Sequence, residues 1–364
     1  MTSTQGPSDP TSPAKREGDP ASSTPTITTR MILALALPSL GALIAEPLFT
    51  VIDSTMVGHL GTPQLAGLGI ASTVLNTAVG LFIFLAYSTT SLAGRHLGAG
   101  RRDLAIRSGV EAMWLAGGLG ALAAILLAVF ASPLLTWLGA DAATMPHALA
   151  YLRASAPGLV GMFVVLAATG TLRGLQDTRT PLVAASVGAA FNAVANWVLM
   201  YPLGLGVAGS GLGTAITQTL MAAFLGWMIV RAARREGVSL RPSTHGLFGA
   251  ALEGAPLLVR TLALRVALLA TLSAVTAIST QALAAHQIVW TLWSFAAYVL
   301  DALAIAAQAL AGFTTGTGER GAMRPLLRTL ARWGIGFGVA VGVVLAITAP
   351  WITRIFTTDQ TVID

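Results

Sequence analysis

Cysteine is absent from this chain. Disulfides and thiolate metal sites are therefore excluded, and thiol usage says nothing about the compartment. Charge is scarce too: Asp, Glu, Lys and Arg make up 10% of the residues, against about a quarter in soluble domains. Three motifs are missing. No Gly-x4-Gly-Lys-Ser/Thr loop is present to cradle a nucleotide, so direct drive by ATP is not expected. Neither a His-Glu-x2-His helix nor a Gly-x-Ser-x-Gly turn occurs, so catalysis has no visible carrier. The chain is read as a non-enzyme that needs no cofactor.

What fills the sequence is apolar. Of 364 residues, 54% are hydrophobic, and the mean hydropathy is +0.74. Nine apolar segments, near 31–57, 64–93, 106–136, 147–172, 181–201, 208–233, 248–276, 280–313 and 326–353, reach the roughly 20 residues a membrane helix needs. They are rich in Leu, Ala, Val and Gly and lack period-2 alternation, which argues against a β-barrel. The expected fold is an all-α polytopic membrane protein. Residues 1–30 read as a disordered cytoplasmic tail of Ser, Thr, Pro and Gly. No cleaved leader is expected, because the apolar segment starts late and is too long for one.

The net charge is +6. In a soluble protein that would suggest nucleic acid. Here 17 of the 21 basic residues fall on alternate connections, including Arg101, Arg102, Arg173, Arg179, Arg234 and Arg235. That alternation is a topology signal. It places the N-terminus inside the cell and makes the lipid bilayer, and no nucleic acid, the partner.

One sequence pattern occurs twice. Leu92-Ala93-Gly94 with Gly98 and Gly100 returns as Leu310-Ala311-Gly312 with Gly316 and Gly318, each residue 218 positions later. The same shift carries Pro38 onto Pro256 and Leu65-Ala66 onto Leu283-Ala284. Two related halves follow. Six helices precede the second start, an even number, so the halves are parallel. The expected organisation is an N-lobe over 31–233, a cytoplasmic linker over 234–247 and an incomplete lobe of about three helices over 248–364.

Ionisable groups at membrane depth are functional candidates. Asp53 is the first. A carboxyl there can exchange a proton or hold Na⁺; alternatively it hydrogen-bonds a helix end. The repeat puts Thr271 opposite it, so any coupling site is one-sided. Asn192 and Asn196, four apart, share a helix face and either join helices or offer oxygens to a cation. Glu46 lies two turns before Asp53 and either lines a cavity or meets water. Pro47 permits a kink in that helix. Asp301 is expected to pair with Arg260, with Arg265 nearby, unless it forms a second site. Gln281, His286, Gln287 and Gln308 are weaker candidates. Trp290, Trp293 and Tyr298 either stack on a flat substrate or form an interfacial belt. The triplets Gly117, Gly118, Gly120 and Gly209, Gly211, Gly213 are read as close-packing faces.

The segment from Pro38 through Asp53-Ser54-Thr55-Met56-Val57-Gly58-His59-Leu60-Gly61 to Leu65-Ala66-Gly67 resembles the start of MATE (multidrug and toxic compound extrusion) transporters. Leu172-Arg173-Gly174-Leu175-Gln176-Asp177-Thr178-Arg179-Thr180-Pro181 resembles that family's loop between helices 4 and 5. Glu46-Pro47 and Leu300-Asp301-Ala302-Leu303-Ala304 are similar to its DinF-like branch. The resemblance implies a monomeric, cation-coupled exporter in the cytoplasmic membrane, with two lobes facing a central cavity. H⁺ or Na⁺ would enter as a small organic, often cationic, compound leaves. It also implies cation coupling at Asp53, Asn192 and Asn196, where Na⁺ would bind if used; no other metal site is indicated. Glu46, Gln281, Gln287, Trp290 and Asp301 would serve the cavity. Some relatives carry aspartate where Asn196 stands; Asn196 cannot titrate, which places more of the coupling on Asp53. The family has twelve helices and nine are read here, so a C-terminally truncated member is expected. A lipid-linked oligosaccharide flippase, with Arg260 and Arg265 on its cavity, and a non-transporting remnant are the alternatives.

Overall fold

The computed structural model describes residues 29–278 and 280–356. They form eleven helices and, among the described residues, no strand: α1 (Thr29–Gly58), α2 (Thr62–Leu81), α3 (Phe84–Gly98), α4 (Arg102–Trp137), α5 (Met145–Ser155), α6 (Gly158–Gly174), α7 (Arg179–Met200), α8 (Val207–Arg235), α9 (Thr244–Ile278), α10 (Thr280–Gly316) and α11 (Arg320–Phe356). The segment read as a disordered tail lies outside the described residues except for Thr29 and Arg30, which are helical.

Two of the expected helices are broken. The segment 64–93 divides at Phe82-Ile83. The Phe82 and Phe84 rings lie 5.9 Å apart, a pairing that residues i and i+2 of a continuous helix cannot make. Phe82 also sits 4.6 Å from the Phe163 ring. The segment 147–172 bends by 52° between α5 and α6, where Pro157 has no N–H to continue the ladder. Among the described residues eight spans are long and apolar enough to cross a membrane, with α2 and α3 together (Thr62–Gly98) counting as one, or nine with the bent pair as one span.

The packing follows from the apolar surface. Phe163, Leu85, Leu135, Leu152 and Leu159 form the main core of the α1–α8 bundle. A separate cluster joins Ile32 and Leu35 of α1 to Ala306, Ala309 and Leu310 of α10 and Leu326 and Leu330 of α11. Outward faces remain apolar: Val183, Val187 and Val194 on α7, and Ile335, Val339, Val343 and Ile347 on α11, are exposed. Stripes of this kind suit hydrocarbon, where helices satisfy their own backbone.

The echoed glycines form one seam. A Cβ on Gly94 would lie 3.0 Å from the Ala309 carbonyl oxygen, and one on Gly312 would lie 2.7 Å from that of Ser91. One on Gly98 would overlap the Phe313 carbonyl; one on Gly316 would overlap that of Arg95. Ser91 and Ala309 are repeat equivalents, as are Arg95 and Phe313. Each half therefore contacts the other reciprocally, as around a two-fold axis, and α3 and α10 meet backbone to backbone. The other glycines divide. Gly209, Gly211 and Gly213 each face a close neighbour, as does Gly120, but Gly118 has nothing within 4 Å and Gly117 only Val164 at 4.0 Å. Those two do not form the packing face expected of them.

Between α4 and α5, Asp141 Oδ1 accepts hydrogen bonds from the Thr144 N–H (2.8 Å), the Thr144 hydroxyl (2.8 Å) and the Ala143 N–H (3.1 Å). The bonds from Thr144 hold this exposed carboxyl below its usual range. Protonation weakens them, because a neutral carboxyl is a poorer acceptor than a carboxylate. The loop's contribution is thus full above the ordinary value of about 3.9 and is lost as pH falls through the lower folded value. A carboxyl-carbon NMR titration of Asp141 is expected to give a midpoint below about 3.9; a midpoint at or above it would refute this closure.

Candidate functional site

Asp53 lies on α1, 5% exposed, where α7 and α8 pack alongside. The Asn196 amide nitrogen donates to its Oδ1 at 3.0 Å, and the Ser210 hydroxyl donates to the same oxygen. Asn196 also donates to Asn192 Oδ1 at 3.0 Å, and Asn192 donates back to Asn196 Oδ1 at 3.3 Å. Asn192 and Asn196 are 1% and 0% exposed. Asp53 thus bonds to side chains of two other helices and not to a helix end. Both bonds reach Oδ1; among the described residues none reaches Oδ2. This amide orientation is the one that lets every bond in the network form. It turns a donor, not a carbonyl oxygen, toward Asp53.

The fold explains the meeting. The four-residue spacing stacks Asn192 over Asn196 on the buried face of α7. Ser210 stands between Gly209 and Gly211, whose missing side chains let α8 approach Met200 and Tyr151. Gly213 leaves room for the Asn196 carbonyl oxygen. Thr271, at Asp53's repeat position, is exposed and bonds its own helix at Ala267.

A cavity of about 240 Å³ opens beside Asp53, with Thr50, Asn76, Tyr87, Tyr151, Arg173 and Gln218 among its polar lining and Met162, Val165 and Leu166 on its apolar wall. It lies within the α1–α8 bundle; from α10 only Ile305 reaches it among the described residues. That location corrects several expectations. Trp290 and Asp301 do not line this cavity: both lie on α10, and Asp301 is exposed. Arg260 and Arg265 do not line it either, and both are exposed on α9. Nor do Arg260 and Asp301 form the expected ion pair. The pairs among the described residues are Arg102–Glu236 and Arg107–Glu111, both at 3.3 Å, and Arg260 acts on Asp301 only at longer range. Trp290 instead packs against Trp293 at 5.1 Å and His286 at 6.2 Å. The side chains of Glu46, Gln281 and Gln287 lie outside the described residues. Gln308 is part-buried with no hydrogen bond to Oε1. Pro47 stands within α1, which is helical on both sides of it.

Three residues of the site were not legible as such. Ser210 was hidden among glycines read as packing. Tyr151 is 4% exposed in a short helix with a basic residue. Arg173 was assigned to a cytoplasmic connection, but it occupies the last turn of α6 and is 8% exposed. Its helix ends at Gly174, two residues later than its sequence suggests. Gln176 closes it in the left-handed region at φ 64. The Gln176 and Asp177 N–H groups return to Arg173 and Leu172 at 2.9 and 2.8 Å. Asp177 Oδ1 then accepts from the N–H groups of Arg179 and Thr180 at 3.1 and 3.0 Å, starting α7. A signal was available: Arg173 follows an apolar run without a break.

Among the described residues no group of three or more His, Asp and Glu could hold a metal ion.

The family model MatE matches residues 38–198 and 256–364. Protein DETOXIFICATION 44, chloroplastic, of Arabidopsis thaliana is 32% identical over 346 residues, spanning 91% of this chain and 66% of that protein. DNA damage-inducible protein F of Escherichia coli (strain K12) is 29% identical, spanning 82% of this chain and 66% of that protein. The chain thus covers just under two thirds of these relatives. Among solved structures, a MATE in the bent conformation superposes with a TM-score of 0.84 at 22% identity, over 92% of this chain and 76% of that one. A MOP superfamily transporter from Pyrococcus furiosus gives 0.81 at 22% identity, over 92% and 75%.

Proposed function

This chain belongs to the MatE family, and on that premise we propose that it is a cation-coupled antiporter exporting small organic, often cationic, compounds across the cytoplasmic membrane. The observation that carries this reading is Asp53: a buried carboxyl that lines a cavity, held at Oδ1 by Asn196 and Ser210 and with no hydrogen bond to Oδ2 among the described residues. A proton taken at Oδ2 neutralises the charge while leaving the two hydrogen bonds in place. The substrate's affinity changes with that charge, and the reciprocal change in proton affinity is the coupling. Asn196 presents an N–H to Asp53 rather than an oxygen, which favours H⁺ over Na⁺, since a hard cation needs an oxygen shell. Pro47, which supplies no N–H to the Leu43 carbonyl, is where α1 would bend in response. The alternating basic residues support a cytoplasmic N-terminus. Arg260 and Arg265, the arginines on which the flippase reading rests, lie off the cavity.

The test is substrate-dependent proton release from the purified protein, followed with a pH-sensitive dye. Release on adding a transported cation is expected, and Asp53→Asn should reduce it at least about tenfold. Undiminished release from Asp53→Asn would remove Asp53 from the mechanism.

A further inference from the structure

Arg173 is a buried charge with no counter-ion among the described residues. It lies in the last turn of α6, 8% exposed, and lines the cavity. Its Nε is buried and has no hydrogen-bond partner. Among the described residues no carboxylate pairs with it; the ion pairs lie elsewhere, at Arg102–Glu236 and Arg107–Glu111. Tyr87 shares the cavity wall with it. A guanidinium stays protonated in proteins. Burying it without an anion is costly, and such a cost is retained where the missing anion arrives as a ligand.

We propose that Arg173 is an oxyanion-recognition residue in this cavity, and that the bound compound carries a carboxylate on an apolar body. The planar fork of arginine matches a carboxylate through two parallel N–H bonds. Met162, Val165 and Leu166 on the same helix supply an apolar wall for the body of the compound. Asp53 and Arg173 are opposite charges on one cavity. A compound with both a carboxylate and a cationic group satisfies both residues, whereas a purely cationic one leaves Arg173 without its anion. The inference rests on the reading that this cavity holds the exported compound.

The test compares two fluorescent probes that differ in one group, dansylglycine and dansylglycinamide, titrated against the purified chain in detergent. The acid is expected to bind at least about tenfold more tightly than the amide. Arg173→Gln should bring the two affinities together by weakening the acid, with the helical circular dichroism of the variant showing that the fold is intact. Arg173→Lys, a point charge without the fork, should keep a reduced preference. Equal binding of both probes to the unaltered chain, binding of neither, or a preference that survives Arg173→Gln overturns the proposal. Equilibrium binding needs no coupled transport. A clear acid preference alongside absent proton release would sink the antiporter reading alone; proton release without the preference would sink this one alone.

Discussion

Gly98→Ala is expected to destabilise the protein by about 3 kcal/mol, at the upper end for overpacking a tight contact. The new methyl would overlap the Phe313 carbonyl oxygen on α10. A backbone atom cannot rotate aside, so α3 and α10 must separate. Separation also strips the contacts of Gly94 and Gly312, which sit on the same seam. Gly316→Ala should cost about as much, because it meets Arg95 in the mirrored way. The control is Gly118→Ala, on an open face of α4, where removing a helical glycine gains up to about 1 kcal/mol. Thermal unfolding in detergent, followed by helical circular dichroism, should rank Gly118→Ala above the unaltered chain and both seam variants well below it. A Gly98→Ala variant as stable as Gly118→Ala would mean that the helices do not meet there.

The second large effect is at Asn196. Asn196→Leu keeps the side chain's bulk and removes every polar atom. Asp53 then retains the Ser210 bond alone, and Asn192 loses both its donor's and its acceptor's partner in a site 1% exposed. Leaving those groups buried and unsatisfied costs about 2–5 kcal/mol in sum. The double variant Asn192→Leu, Asn196→Leu is the informative comparison. Removing both partners together is often near neutral, so the second substitution should recover about 1 kcal/mol of what the first lost. Additive losses would show that the two amides do not bond each other. Proton release should fall with Asn196→Leu as well, since the carboxylate loses the Asn196 bond that holds it beside the cavity.

The helices and the acid were legible because each leaves a mark on the chain itself. Twenty apolar residues and a lone Asp53 within them need no partner to be noticed. The halves were legible through identical letters at a fixed shift. What those letters do was not: Gly94 and Gly98 mark a contact only once Ala309 and Phe313 stand opposite. The breaks at Phe82-Ile83 and Ala156-Pro157 were missed because apolar composition runs straight through them. Arg173 was misplaced for a related reason. An arginine near the end of a membrane helix carries the same letter whether it faces water or turns inward, and only the packing around the end of α6 decides. The Arg260–Asp301 pair failed because opposite charges on two segments do not fix the faces they occupy. Asn192 and Asn196 fared better, since four-residue spacing fixes a face by itself.

The seam between α3 and α10 has the geometry of a homodimer interface, in which each surface meets its own copy. In a true homodimer one codon writes both sides of the axis, and every substitution appears twice. Here the two sides are written separately. A change at Gly98 leaves Gly316 untouched, so the contact can keep its symmetry under selection for packing while the lobes it joins drift apart. That independence is what allows one half to carry Asp53 and the other, at the matching position, nothing more reactive than Thr271.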